Sequence, residues 1–231
     1  MRFLRTLVAS TMIAAGVVAA GGVVASPLDD GYAAYERSDY ATSLKLWQPL
    51  AEKGVAKAQW GMGMVYGSED SPHKDYRKAV DWYRTAAGQS FAPAQTSLGS
   101  MYELGRGVVK DELQALSWFR KAADQGEAVG QLNLGHMYAS GRGVLKDPQQ
   151  AMFLYRKAAD RGLTPAQVSV AAMYERGEGV VKDEQQAYFW YLLASIQGNT
   201  FVIGRRDLIE SRLTPQQRTD AQREARAWSP R

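Results

Sequence analysis

The chain of 231 residues has no cysteine. This excludes disulfides, a lipid-modified cysteine and a thiolate metal site. It has two histidines, His73 and His136. They fall on different units of the repeat described below, so only long-range folding could bring them into one site. A basic face is also missing. The formal charge is +4, and removing Arg2 and Arg5 leaves 26 basic against 24 acidic residues, a net of +2. Residues 199–231 hold seven arginines and four acids, so the rest of the chain is near −1. A nucleic-acid binder needs a dense Lys/Arg footprint, and none is present.

Long apolar runs are absent except at the start. Arg2 and Arg5 precede a stretch without charge from Leu7 to Val24, which ends in Val23-Val24-Ala25. Residues 1–25 read as a secretory signal peptide cleaved after Ala25. The stretch reaches the lower length limit of a membrane anchor, roughly 17–18 residues, but its glycine and alanine content and small-residue end favour cleavage. The expected mature protein begins at Ser26. It is periplasmic or secreted, not a lipoprotein, monomeric, and has no membrane span after cleavage. Without disulfides it must be held together by packing, and a mature chain of about 205 residues is long enough for one core.

What the chain does have is a period. Residues 105–126 read GRGVVKDELQALSWFRKAADQG, and residues 141–162 read GRGVLKDPQQAMFLYRKAADRG. The 36-residue step runs four times without a gap, over 55–90, 91–126, 127–162 and 163–198. Gln59, Gln95, Gln131 and Gln167 recur in register. So do Tyr66, Tyr102, Tyr138 and Tyr174, the pairs Lys74-Asp75, Lys110-Asp111, Lys146-Asp147 and Lys182-Asp183, and Ala79, Ala115, Ala151 and Ala187. A period of this length means a solenoid whose units bury their apolar faces against one another.

Each unit reads as two helices, A and B. In the second repeat Ala94, Leu98, Met101 and Tyr102 form one face of helix A. Helix B starts at the aspartate, a good N-cap, buries Ala115, Trp118, Phe119, Ala122 and Ala123, and ends at Gly126. Gly63, Gly99 and Gly135 sit inside helix A, where each costs about 1 kcal/mol against alanine. A cost repeated at one position implies that a neighbouring helix comes close there. The paired glycines 105/107, 141/143 and 177/179 lie between two helices and serve a chain reversal, where positive φ is needed. A phosphate loop would require a preceding strand and a Ser/Thr after the lysine. The valine after the second glycine is expected to plug back into the core.

These residues resemble the Sel1-like repeat, a relative of the tetratricopeptide repeat. The third unit carries Leu134-Gly135, Tyr138, Gly141, Gly143-Val144, Asp147, Ala151, Tyr155, Lys157-Ala158-Ala159 and Gly162 of that pattern. The resemblance covers residues 55–198, and residues 26–54 look like a degenerate leading unit with Asp39, Leu46-Trp47 and Gly54 near the helix B positions. The resemblance implies an all-α, right-handed α/α superhelical solenoid. It also implies a non-enzymatic adaptor for other proteins, often in bacterial envelope signalling, assembly or host contact.

Residues 199–231 read as a C-terminal cap. Leu192, Leu193 and Ile196 replace the charged and polar exterior residues Arg120, Lys121 and Asp124 of the second repeat, so something is expected to cover them. The expected cover is a helix near Arg205–Leu213, bringing Leu208, Ile209 and Leu213, followed by Thr214 as N-cap, Pro215, and a helix to about Trp228.

Positions that vary between repeats form one stripe on the A helices. By analogy with tetratricopeptide proteins the stripe faces a concave groove. The candidate partner-binding residues are Lys57, Trp60, Met64, Ser100, Glu103, Asn133, His136 and Arg176. Trp60 and Met64 are candidates to anchor a partner side chain, and Asn133 and His136 to bind peptide backbone. The expected partner is a protein or peptide, with no nucleic acid and no cofactor. The alternative is an envelope hydrolase or a binder of cell-wall fragments that uses the Ser71–Lys74 turn, which matches S-x-x-K. Its companion motifs K-T-G and S-D-N are missing. Glu69, Asp70, His73 and Asp75 are read as a solvated acidic turn rather than a metal site.

Overall fold

The computed structural model describes residues 26–230; the signal-peptide expectation for residues 1–25 lies outside them. The described residues form twelve helices and no strand. They are α1 (Pro27–Glu36), α2 (Tyr40–Glu52), α3 (Ala56–Gly67), α4 (Tyr76–Gly88), α5 (Ala92–Leu104), α6 (Glu112–Asp124), α7 (Ala128–Ser140), α8 (Pro148–Asp160), α9 (Thr164–Arg176), α10 (Glu184–Ser195), α11 (Thr200–Glu210) and α12 (Pro215–Ala227). From α1 to α11 the helices pack in the order of the chain, each on its predecessor, as in an all-α repeat solenoid. The A helices are α3, α5, α7 and α9, and the B helices are α4, α6, α8 and α10.

The repeated residues are spent on this architecture. Asp75, Asp111, Asp147 and Asp183 each cap a B helix, the carboxylate accepting from backbone N–H groups of the first turn. Their own N–H groups donate back to the carbonyls of Tyr66, Tyr102, Tyr138 and Tyr174 at 2.8–3.0 Å. This closes each turn between A and B. Gln59, Gln95 and Gln131 are buried and reach into the preceding unit, where Nε2 donates to the carbonyls of Ala51, Ala87 and Ala123. Those carbonyls lie in the last turn of a helix, lack an intrahelical N–H donor, and also accept from the N–H groups of Gly54, Ser90 and Gly126.

The glycines inside the A helices make room for rings. A Cβ on Gly63 would lie 2.4 Å from the ring of Tyr83, one on Gly99 2.7 Å from Phe119, and one on Gly135 2.6 Å from Tyr155. Each ring comes from the B helix of the same repeat and crosses directly over the helix A backbone. In the turns, Gly105, Gly141 and Gly177 end the A helices in the left-handed region. The second glycine of each pair, also at positive φ, rests on the previous repeat: a Cβ on Gly107 would lie 2.2 Å from the Tyr76 carbonyl oxygen, and one on Gly179 2.3 Å from that of Pro148. Val108, Val144 and Val180 pack inward behind these glycines.

The leading unit uses the same means. Asp39 caps α2, and Trp47 is fully buried beneath α1, its Nε1 donating to the Leu28 carbonyl at 3.0 Å. At the other end α11 and α12 both pack on α10 instead of forming the tight hairpin of a repeat. The expected start of α12 is in place, with Thr214 and Gln217 forming a reciprocal capping box. The first tail helix starts earlier than the sequence suggests, because Asn199 caps it. The cover over α10 is narrower than expected. Leu193 is buried with Val202, Ile209, Leu213 and Ala221, and Leu192 is half-buried against the same cluster. Ile196 is 81% exposed and Leu208 is 42% exposed. Ile196 is the C-cap residue of α10, one step past the last turn that the tail overlies.

Candidate functional site

The candidate stripe divides into a packed end and an open end. Trp60 and Met64 are each 6% exposed. The Trp60 ring sits between Tyr32 of α1 and Phe91, with centroids 6.1 and 5.8 Å away, and its Nε1 donates to Ser97 Oγ on α5 at 2.9 Å. The indole thus joins the leading unit to repeats one and two. Met64 lies in the same apolar cluster. Both side chains are used by the stack, and neither stands free to anchor a partner. Lys57 is half-buried, its Nζ 4.8 Å from the centroid of the Tyr32 ring.

The open end lies on repeats two to four. Ser100 and Asn133 are half-buried on α5 and α7, and His136 is exposed one turn after Asn133. His136 Nδ1 is 2.8 Å from the Tyr155 hydroxyl, and the two rings meet edge to face at 5.1 Å. Tyr155 belongs to α8. It reaches this face because Gly135 has no side chain to block the ring. Glu103 on α5 accepts from Arg142 of the third turn, whose Nε also donates to Ser140 Oγ at 2.9 Å. Arg176 at the end of α9 is exposed and pairs with Glu178 at 3.0 Å. Although the side chain reaches the surface, desolvation of its ring, packed edge to face on Tyr155, lowers the His136 imidazole below its ordinary value; the Arg142 charge adds to this while Glu103 opposes it. Burial raises the Tyr155 hydroxyl. His136, Glu103 and Arg142 thus share one polar neighbourhood with Tyr155. Lys57, Trp60 and Met64 belong to the other end of the stack.

Ion pairs stitch consecutive units along the turn edge. Arg106 pairs with Glu69 at 2.9 Å, Arg142 pairs with Glu103, and Arg205 of α11 pairs with Glu175 of α9. Burial works to raise the Glu175 carboxyl, but hydrogen bonds from Arg205 and Tyr191 outweigh it and hold the group below its ordinary value. Arg142, Tyr155 and Arg205 were not among the candidates. Tyr155 could have been found from spacing, since an aromatic residue follows the helix A glycine by 20 residues in each of the first three repeats: Gly63/Tyr83, Gly99/Phe119 and Gly135/Tyr155.

The Ser71–Lys74 turn does not form a nucleophile and base pair. Ser71 is 6% exposed, and its Oγ accepts from the His73 N–H at 3.1 Å. Lys74 Nζ pairs with Glu69 at 3.3 Å, and the same carboxylate accepts from the Tyr76 hydroxyl. The residues build a glycine-free turn with the same Asp75-to-Tyr66 closure as the others.

The Sel1 repeat family profile matches residues 56–91, 92–127, 128–163 and 164–199. The chain belongs to the Sel1 repeat family, whose members are generally protein-interaction scaffolds and typically non-enzymatic. No curated protein matches it. Among solved structures it is similar to a protective antigen present in uropathogenic Escherichia coli strains, with 34% identity and a TM-score of 0.74 over 85% of this chain and 43% of that one. The chain therefore spans less than half the length of that antigen. A Sel1 repeat protein from Oxalobacter formigenes is 30% identical, with a TM-score of 0.70 over 78% of this chain and 73% of that one. An immunity protein from Pseudomonas aeruginosa, at 20% identity and a TM-score of 0.52 over 75% of this chain and 68% of that one, shares the fold. No helix among the described residues is long and apolar enough to cross a membrane.

Proposed function

We propose that this protein is an exported, non-enzymatic adaptor that binds a protein or peptide partner along the A helices of repeats two to four. The observation that carries the reading is a division of labour. Residues repeated in register are consumed by internal contacts, as with the capping aspartates and the turn-closing tyrosine carbonyls. The open part of the variable stripe, Ser100, Asn133, His136 and Arg176, lies outside those contacts at the surface. A polar face with a few oriented groups suits a peptide-like partner better than a catalytic reaction. The apolar stretch at the start of the chain supports export to the bacterial envelope.

The test compares two surfaces. Mature protein immobilised as wild type, as a Ser100/Asn133/His136/Arg176 quadruple alanine variant, and as an Arg84/Lys121 alanine control from the B helices is exposed to an envelope extract. A partner retained by wild type and control and lost by the quadruple variant, with unchanged circular dichroism, supports the reading. Equal retention by all three rejects it. N-terminal sequencing of envelope-extracted protein tests export, with Ser26 expected as the first residue.

A further inference from the structure

We infer that His136, held in one tautomer by Tyr155, presents an Nε2–H donor to a main-chain carbonyl of an extended peptide lying on the A helices; this rests on the docking reading above. Tyr155 is 4% exposed, so its hydroxyl proton needs an acceptor within the protein. The acceptor available among the described residues is His136 Nδ1, at 2.8 Å. If Nδ1 carried the imidazole proton, the hydroxyl would accept from it and leave its own proton without a protein acceptor in a partly buried contact, an arrangement that folded proteins disfavour. With the hydroxyl donating, the imidazole proton sits on Nε2. Nε2 has no partner among the described residues, and the residue is exposed. The donor is therefore unpaired within the described residues, on an exposed side chain whose ring orientation Tyr155 sets.

The surrounding charge selects the acceptor. The groups acting on the His136–Tyr155 pair are Glu103 from α5, Arg142 from the third turn, and Arg176 and Glu178 at the end of α9. They are paired as Arg142 with Glu103 and Arg176 with Glu178, so the neighbourhood sums to zero. The lowered imidazole and the raised hydroxyl keep the histidine–tyrosine pair neutral as well at neutral pH. Such a rim gives a carboxylate no net attraction, whereas a neutral carbonyl oxygen fits a neutral donor. Asn133 sits three residues before His136 on α7. Neighbours at that spacing lie about 5–6 Å apart on a helix surface. Groups on one side of an extended chain recur every two residues, about 6.5–7 Å. The difference of about 1 Å is within the reach of the two side chains, so the Asn133 amide and the His136 donor can meet successive same-side peptide groups of one extended partner.

Nitrogen-15 NMR on the full chain tests the first half, and with two histidines the spectrum is simple. The expected result is an Nε2–H tautomer for His136 that becomes a tautomer mixture in Tyr155→Phe. Phe119 occupies the same position of repeat two, so the fold accommodates this change. An Nδ1–H tautomer in the wild type, or a Tyr155→Phe spectrum identical to wild type, overturns the inference. If Tyr155→Phe misfolds, the wild-type tautomer alone decides.

The second half uses a peptide selected on the wild type from a phage-displayed random dodecapeptide library and then synthesised. Its binding is expected to shift the His136 Nε2–H resonance, to weaken about tenfold in His136→Ala, as loss of one directed hydrogen bond allows, and to survive amidation of the peptide C-terminus. A tenfold loss on amidation would identify a carboxylate ligand and overturn the carbonyl assignment. Binding that moves Ser100 and Arg176 resonances while His136 stays silent overturns this inference and leaves the docking reading intact. Binding that leaves the whole A-helix face unmoved, or a library that enriches no peptide, overturns both.

Discussion

Gly107 rests on the carbonyl of Tyr76: a Cβ on the glycine would stand 2.2 Å from that oxygen, with φ at +71°. One residue thus meets two demands, a left-handed turn within repeat two and backbone contact with repeat one. Gly107→Ala is expected to cost about 2–4 kcal/mol, more than the strain of a left-handed alanine alone. Gly105→Asn is the control. Gly105 needs the left-handed conformation, which asparagine tolerates, and a Cβ there meets Lys110 at 3.2 Å rather than a carbonyl oxygen at 2.2 Å, so its loss should stay below about 1 kcal/mol. Urea unfolding of both variants measures the difference.

The same substitution should have opposite signs at two helical glycines. In Gly99→Ala the new methyl group meets Phe119 at 2.7 Å, and overpacking of about 1–3 kcal/mol exceeds the roughly 1 kcal/mol gained in helix propensity. Gly204 lies inside α11 with nothing within 4 Å of a built Cβ. Gly204→Ala should therefore stabilise by about 0.5–1 kcal/mol. A Tm that falls for the first and rises for the second is the expected pair.

One buried acceptor is left over. In repeats one and two the side chains of Gln89 and Gln125 donate to Gln59 and Gln95 at 2.7 Å. In repeat three the corresponding residue is Arg161, whose guanidinium lies over Gly126 instead, and Gln131 Oε1 is buried without a partner. Arg161→Gln copies the first two repeats and is expected to stabilise by about 0.5–1.5 kcal/mol. An unchanged or lower midpoint in urea would show that Gln131 is satisfied by other means.

The tail lock has a pH signature. Glu175 accepts from Arg205 and from Tyr191, and its folded-state pKa is lowered. A group lowered on folding contributes stability above its unfolded pKa, about 4.3 for glutamate, and loses it as pH falls through the folded value. Stability should therefore drop on acidification from about pH 5 downward, and Glu175→Gln should flatten that drop and lower the neutral-pH Tm by a few degrees. Deleting residues 199–231 should lower Tm further and cause self-association through bared Leu193, read by light scattering. Reversing Leu192 and Leu193 to Arg and Lys should restore the monomer. Ile196 is already exposed and needs no change.

The period, the helix pairs and the cap at Thr214 were legible in the sequence because each is written locally: a capping aspartate, a turn glycine, a helical face. The use of Trp60 was not. Its position faces both the open surface and the next A helix, and only the distance from α3 to α5 decides that the indole is spent on Ser97 and Phe91. The apolar trio on α10 failed for a related reason. Replacement of charge marked the three residues together, but the tail overlies Leu193 and stops short of Ile196. His136 was a candidate by variability alone. Its orientation depends on Tyr155, 19 residues away and on another helix.

The packing of α11 and α12 onto α10 bears on how such a chain changes length over evolutionary time. Residues 105–126 and 141–162 are close to interchangeable, the condition under which unequal recombination adds or removes whole units. The last two helices follow a different pattern, both packing on α10 rather than on each other. A duplication or deletion in the interior therefore alters the length of the stack in steps of 36 residues while α11 and α12 stay packed on the last B helix. The number of A helices offered to a ligand can change in this way without removing the cover over Leu193.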